Sequence, residues 1–401
     1  MGLLYGCALH GAIDTLLAVP DVIPIAHSTA GCSYYRAKRR GAGAAIPATN
    51  TQERHIIFGG ASRLREELRN AAQIVNGQLY AVVSGCSAEI VGDDMDAMVR
   101  EFTGSGKDAV YISAPGIRGD ASAGYEIAVK SLLGETWEEP RRDGKLVNVW
   151  GIIPWTHCGW LAELYALSDY FAKIGYRVNT LFGPEASLDN WRRVSSAAIN
   201  LALTRHGLPA ARYVAERVGG EAVSPGLFPL GAQGEFALAS ILGADTAAAE
   251  ASRRKLDWQF AQSARFYYER VAQRTFSVVS DAARALAKAV FLTEELGLAP
   301  QSVVITDASE GEALPELAEF AAEHGARRGR PVRLLFSDTE SEIACFLAEH
   351  GGEITVSDVE TSAPVLTQSS FGAAGAERLM EEVFAQAAAL PSNLLVRRDE
   401  N

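Results

Sequence analysis

Gly6-Cys7-Ala8-Leu9-His10-Gly11-Ala12, Ser28-Thr29-Ala30-Gly31-Cys32-Ser33-Tyr34-Tyr35 and Ser84-Gly85-Cys86-Ser87-Ala88-Glu89-Ile90-Val91-Gly92-Asp93-Asp94 decide how this chain reads. Each cysteine sits among glycines and small residues, at or just beyond the end of an apolar segment. A thiolate that binds iron needs a tight turn to expose it, backbone N–H groups aimed at the sulfur, and no bulky neighbour over the metal. Three thiolates are one short of a tetrahedral four-thiolate site. The other two of the five cysteines, Cys158 and Cys345, stand in different contexts, so the trio reads as half of a site that a second chain completes. Spacing alone leaves a plainer alternative open: three small buried hydrophobes.

Working outward, composition bounds the answer. The chain has 401 residues, 48% hydrophobic and 21% charged, enough for two or three domains with substantial cores and too apolar for disorder. A net charge of −12, relieved only by the short run Arg36-Ala37-Lys38-Arg39-Arg40, argues against nucleic acid as a partner. Five cysteines are too few and too scattered for a disulfide framework, and Met1-Gly2-Leu3-Leu4-Tyr5 shows no leader pattern; a reducing cytoplasm is expected. No apolar run approaches about 18 residues, so no membrane span is expected. No Gly-x-x-x-x-Gly-Lys-Ser/Thr occurs, so ATP hydrolysis is not expected in this chain.

Taken in order, strands alternate with helices. Val22 to Ala26 leads to the turn carrying Cys32, and Ile56 to Gly60 reads as a short strand ending in glycines. Ser62 to Val75 has apolar residues at helical spacing, with Ser62 as N-cap. Leu79 to Val83 is a buried strand delivering Cys86 at its C-terminal end, where parallel sheets place chemistry. The charged run Glu138 to Gly144 separates this first unit from a second, in which Leu146 to Ile153 is a strand, Leu161 to Ile174 a helix, and 186–206 and 208–218 further helices. A third unit opens with a helical stretch from Asp257 to Leu296, broken in the middle. It continues with strands near 302–306, 332–336, 353–356 and 365–367, then a C-terminal helix. The expected fold is α/β: three Rossmann-like βαβ domains with parallel sheets, at 1–143, 144–275 and 276–401.

Four blocks carry a resemblance: Cys7-x-x-x-Gly11-Ala12; Gly31-Cys32-x-Tyr34; Thr49-Asn50-x-x-Glu53-x-x-Ile56-x-x-Gly59-Gly60; and Cys86-x-x-Glu89-x-x-Gly92-Asp93-Asp94. Together they resemble the N-terminal domain of the nitrogenase component-1 superfamily. Weaker likeness follows through Val147-Asn148-Val149, Glu163-Leu164, Ile174-Gly175-x-x-Val178-Asn179, Ala197-Ala198-x-Asn200-Leu201 and Ser369-Ser370-Phe371-Gly372. The resemblance implies that Cys7, Cys32 and Cys86 are this chain's share of an 8Fe-7S cluster of the P-cluster kind, held between two homologous subunits. Soft thiolates suit such a cluster, and burial at an interface tunes its potential.

It also implies partners: a homologous α-type catalytic subunit in an α2β2 heterotetramer, and an ATP-dependent iron–sulfur reductase protein that donates electrons. Catalytic subunits of the family place a cysteine, the cofactor's terminal iron ligand, four residues after the asparagine of the Ala-Ala-x-Asn-Leu segment. Here that residue is Thr204, and the cofactor's histidine ligand has no counterpart, because His324 and His350 read as surface residues at helix ends. The resemblance is therefore to the non-catalytic, β-type subunits. A serine that can bind the oxidised cluster in molybdenum-type β subunits is matched by Gly116. The short lead before Cys7 and the compact length resemble nitrogenase-like reductases, in particular the β-type subunits of methylthio-alkane reductases, which release methanethiol from small thioethers. Two rivals are a cofactor-assembly scaffold of the same superfamily and a metal-free α/β binding protein. Of the remaining residues, Cys158 beside His157 is expected to be structural, Cys345 to be core, His10 to hydrogen-bond near the cluster or to pack, and Tyr34 and Tyr35 to be interface or core aromatics.

Overall fold

The computed structural model describes residues 4–40, 46–135, 139, 141–157, 159–307, 314–359 and 370–392. Three parallel sheets follow one another along the chain. The first has the order β1 (Val22–His27), β2 (Leu79–Ser84), β3 (Ala109–Ser113). The second is built from β4 (Asp143–Trp150), β5 (Arg177–Asn179), β6 (Ala197–Ala202) and β7 (Glu221–Val223), in the order β5-β4-β6-β7. The third comprises β8 (Thr275–Ser280), β9 (Ala299–Ile305), β10 (Arg333–Phe336) and β11 (Ile354–Ser357), in the order β10-β9-β8-β11. The chain is thus an α/β protein with helices between parallel strands, as expected. All six residues of β2 are buried, the pattern of a strand covered on both faces.

Around the first sheet lie α1 (Ala8–Leu17), α2 (Ala30–Arg40), α3 (Glu53–Phe58), α4 (Ala61–Ile74), α5 (Cys86–Val91), α6 (Met95–Thr103) and α7 (Ala121–Glu135). In the second unit α8 (Trp160–Lys173) follows β4. One large core runs through all three units, with Trp150 and Trp191 fully buried edge to face at 6.1 Å. Among the described residues, no helix is long and apolar enough to cross a membrane.

Several local expectations are corrected. Cys32 lies in the first turn of α2, not in a turn before it. Residues 56–58 are helical, and their apolar side chains point outward instead of pairing in a sheet. Gly60, not Ser62, caps α4. Within 186–206, read as helix, Ala197–Ala202 is the strand between β4 and β7. Tertiary context overrides propensity here, because Asn200 Oδ1 accepts hydrogen bonds from Asn148 (2.9 Å) and Trp150 (3.3 Å) across the sheet. The break in the stretch 257–296 is β8 itself, whose two buried faces hide the alternation that marks a strand. The expected strand at 365–367, Ser369 and Cys158 lie outside the described residues.

Candidate metal centre

Sheet register brings two of the three cysteines together. β1 and β2 end side by side with His27 opposite Ser84, so the turns that follow deliver Cys32 and Cys86 at one sheet edge. Gly85 caps α5 in an extended conformation and Cys86 is its first residue. Cys7 arrives from outside the sheet: it caps α1 and is stitched to the loop before α7 by a bridge to Asp120 and by Ala8 N–H donating to Gly119 O at 2.9 Å.

Two of the thiols meet at Gly116, and the third, Cys32, stands close enough to feel both. A Cβ placed on Gly116 would lie 3.0 Å from Cys7 Sγ and 3.3 Å from Cys86 Sγ, so this position must stay bare for both sulfurs to share the space. All three cysteines are free and partly exposed. Burial raises the Cys32 thiol, and the neighbouring Cys7 and Cys86 raise it further. Burial also pushes Cys7 upward, but His10 at 3.6 Å outweighs it and holds Cys7 below the ordinary thiol range. His10 is raised correspondingly: its burial opposes protonation and Cys7 favours it more. Among the described residues, no three His, Cys, Asp or Glu side chains gather closely enough for one metal ion. The donor set is three soft thiols spread beyond one ion's coordination sphere, two of them over a bare glycine, which suits a polynuclear cluster better than a mononuclear site.

A polar frame holds the cysteine turns, and the sequence reading passed over its centre, His27. This buried ring meets Thr49 Oγ1 at 3.0 Å through Nδ1 and Asp93 Oδ2 at 3.0 Å through Nε2. Asp93 also accepts Gly60 N–H at 2.6 Å, so it ties the end of β1 to the loop before α4 and to the end of α5. Asp94 caps α6, accepting from Ala97 N–H at 2.9 Å. Glu89, one turn beyond Cys86, accepts from Ser84 and Tyr111. The sequence signal for His27 was its place as the last strand residue before the Cys32 turn.

Around this mouth the surface is apolar: Ile57, Phe58, Ile90, Ile117 and Tyr34 are 72%, 85%, 75%, 75% and 69% exposed. Tyr34 is thus a surface residue, whereas Tyr35 packs on the His10 ring, centroids 5.3 Å apart. Elsewhere Thr204 is buried, with its hydroxyl donating to Gly151 O at 2.8 Å. Two expectations fail. Cys345 is exposed, not core, because the inward face of its helix is taken by Ile343. His324 is buried, not at the surface, because it shares a face with Leu317 and Phe320, whose ring lies 4.4 Å away.

Comparison with known proteins identifies the family and the fold. The nitrogenase molybdenum-iron protein alpha chain of Methanothermobacter marburgensis is 27% identical over 236 residues, 53% of this chain and 48% of its own length. The nitrogenase vanadium-iron protein beta chain of Trichormus variabilis is 24% identical over 195 residues, 45% of this chain and 41% of that one. The nitrogenase iron-molybdenum cofactor biosynthesis protein NifE of Clostridium pasteurianum is 25% identical over 206 residues, 49% of this chain and 44% of its own. The aligned part thus spans about half the length of these curated relatives or less. The solved structure described as nitrogenase Cp1 at pH 6.5 superposes with a TM-score of 0.78 at 17% identity, covering 97% of this chain and 93% of that chain, and so shares the fold. The family description nitrogenase component 1 type oxidoreductase matches residues 7–364, from the first cysteine onward, and the chain belongs to that family.

Proposed function

We propose that this chain is the β-type, electron-relaying subunit of a nitrogenase-like reductase, and that Cys7, Cys32 and Cys86 hold its half of an 8Fe-7S cluster shared with a homologous α-type catalytic subunit. The observation that carries the reading is that Cys7 and Cys86 share the space over Gly116 while Cys32 lies near enough to feel both thiols. Bound there, an iron–sulfur cluster would accept and pass on one electron at a time. The chain's own part is structural: β1, β2 and the loop before α7 aim the sulfurs, the His27–Asp93 frame fixes the turns, and the apolar rim excludes water once covered. Phe58 and Ile57 offer a surface on which an ATP-dependent electron-donating iron protein docks beside the partner subunit.

The non-catalytic assignment rests on Thr204, which replaces the cysteine expected of a catalytic subunit and has its hydroxyl engaged by Gly151 O. The reaction served is reductive C–S cleavage of small thioethers in the catalytic partner, a cytoplasmic activity. The domain boundaries proposed are 1–143, 144–275 and 276–401, one sheet to each apart from the first residue of β4 and of β8, which fall just before the second and third domains begin. The likeness to NifE favours one other reading, a scaffold that holds a cofactor precursor during assembly.

The test is anaerobic co-purification of the complex, followed by iron and molybdenum analysis and turnover of thioethers and dinitrogen. Cys86→Ala is expected to abolish the cluster's iron signal. A Cys86→Ala complex with full iron content and activity would refute the site, and an iron-bearing complex without thioether turnover would favour the scaffold.

A further inference from the structure

His10 occupies the third position of α1, 8% exposed. Its Nε2 faces the Cys32 carbonyl oxygen at 3.1 Å, and a carbonyl can only accept, so Nε2 carries the proton. Nδ1 faces the Cys7 turn, 3.4 Å from its backbone nitrogen and 3.6 Å from its Sγ. Tyr35, one turn beyond Cys32, packs on the ring. The chain also gives up a side chain to admit it: Gly6 sits at φ +84°, and a Cβ there would come within 2.5 Å of Nδ1.

These contacts matter because of how each cysteine is delivered. Cys32 and Cys86 follow neighbouring strands whose register fixes them relative to one another. Cys7 lies outside that ladder, and His10 joins its turn directly to the first turn of α2. We propose that His10 is a positioning residue for the thiolate pair Cys7 and Cys32: its two nitrogens clasp the backbones of both ligand turns and set the separation at which the sulfurs meet iron. The inference rests on the cluster reading above. Groups that orient metal ligands in this way are worth about 10–100-fold in metal affinity or activity when removed.

The experiment uses the anaerobically purified complex with its partner subunit and reads two quantities, the rate of iron loss to a ferrous chelator and the midpoint potential of the cluster's EPR signal. His10→Phe keeps a ring against Tyr35 but removes both nitrogens. It is expected to lose iron roughly ten-fold faster or more, with a shifted potential and an unchanged melting temperature before the challenge. His10→Gln, which can accept from Cys7 N–H and donate to Cys32 O, is expected to restore much of the iron retention. Should His10→Phe fail to assemble, Gly6→Ala, which keeps the histidine but drives a Cβ against Nδ1, is read in the same assays with the same expectation. A substituted complex that holds iron as long as the unaltered one, at the same potential, overturns the clasp while leaving the cluster reading intact. An unaltered complex without iron, indistinguishable from Cys86→Ala, overturns both.

Discussion

At the C-terminal edge of the first sheet three partly exposed thiols gather, two of them over a bare glycine, whereas at the junction of the three units buried charges meet partners from other units. There Arg284, 3% exposed, donates to Glu163 of α8 and, at 2.7 Å, to Asp281 of its own cap, while His157 Nε2 lies 3.3 Å from Glu163. His206, from the second unit, joins Glu126 of α7 at 2.9 Å and Asp307 after β9 at 3.1 Å, so one imidazole links all three. The junction's charges are paired among the chain's own groups and hold the units together. The cysteine edge has donors and apolar surface in excess of what the chain itself can satisfy, the condition of a surface completed by something else.

The largest test of this contrast breaks the junction. Arg284→Met leaves Glu163, fully buried, without its guanidinium, and removing one partner of a buried pair costs about 3–5 kcal/mol. Burial opposes ionisation of Glu163, but Arg284 and His157 hold its pKa down to about 2. A marked fall in the denaturation midpoint is expected, with unchanged iron per folded complex. The double variant Glu163→Gln/Arg284→Met, which leaves no bare charge, recovers part of the loss. Equal midpoints for Arg284→Met and the unaltered chain would show that the junction is not held this way.

The next effect is one of pH. Burial lowers the pKa of His206, yet hydrogen bonds to Asp307 and Glu126 outweigh it and raise the pKa to about 9. A folded-state pKa above the unfolded value of 6.5 means that the stabilisation is fully present below pH 6.5 and is lost as pH rises through about 9. With Glu126 partly exposed, about 2–3 kcal/mol is at stake. Melting temperature should therefore fall across that window, and His206→Gln should flatten the fall. A profile equally steep in both proteins would place the loss elsewhere.

How much of this contrast the sequence disclosed follows from distance along the chain. The cysteine turns were legible because each is local: a glycine, a cysteine and small neighbours at the end of an apolar run carry their meaning within a few residues. Apolar strands of ordinary length, such as Leu79–Ser84, were legible for the same reason. The junction was not, because Glu163 and Arg284 are 121 positions apart and His206 and Asp307 are 101 apart, and nothing near any of them marks its partner. Ala197–Ala202 and Thr275–Ser280 escaped because each is a short strand set among helices and buried between strands on both sides. Their neighbours in the sheet, not their own composition, decide their conformation. His27 was missed although adjacent to a cysteine turn, because its role depends on Asp93, 66 positions away.

At the cysteine edge, stability and iron binding should separate. Gly116→Ala puts a methyl 3.0 and 3.3 Å from the two sulfurs, in the space the pair must share. Because the position borders a partly exposed mouth, the cost to folding is expected to be under about 1 kcal/mol, while bound iron falls several-fold. Iron content unaffected by this methyl would mean that the metal lies away from Gly116.

The smallest effect on folding, and the sharpest on function, belongs to Phe58. With 85% of its surface exposed it contributes little to the core, and Phe58→Ala should leave the denaturation midpoint within about 0.5 kcal/mol. If the apolar rim is a docking surface for an electron donor, the same change removes a large aromatic anchor. Such anchors are worth about 2 kcal/mol, roughly thirty-fold in affinity. Titrating the donor protein against electron transfer reads this directly: half-saturation should rise about thirty-fold while transfer at saturation stays the same. An unchanged half-saturation would remove Phe58 from the docking face and leave the rim's apolar surface to the partner subunit alone.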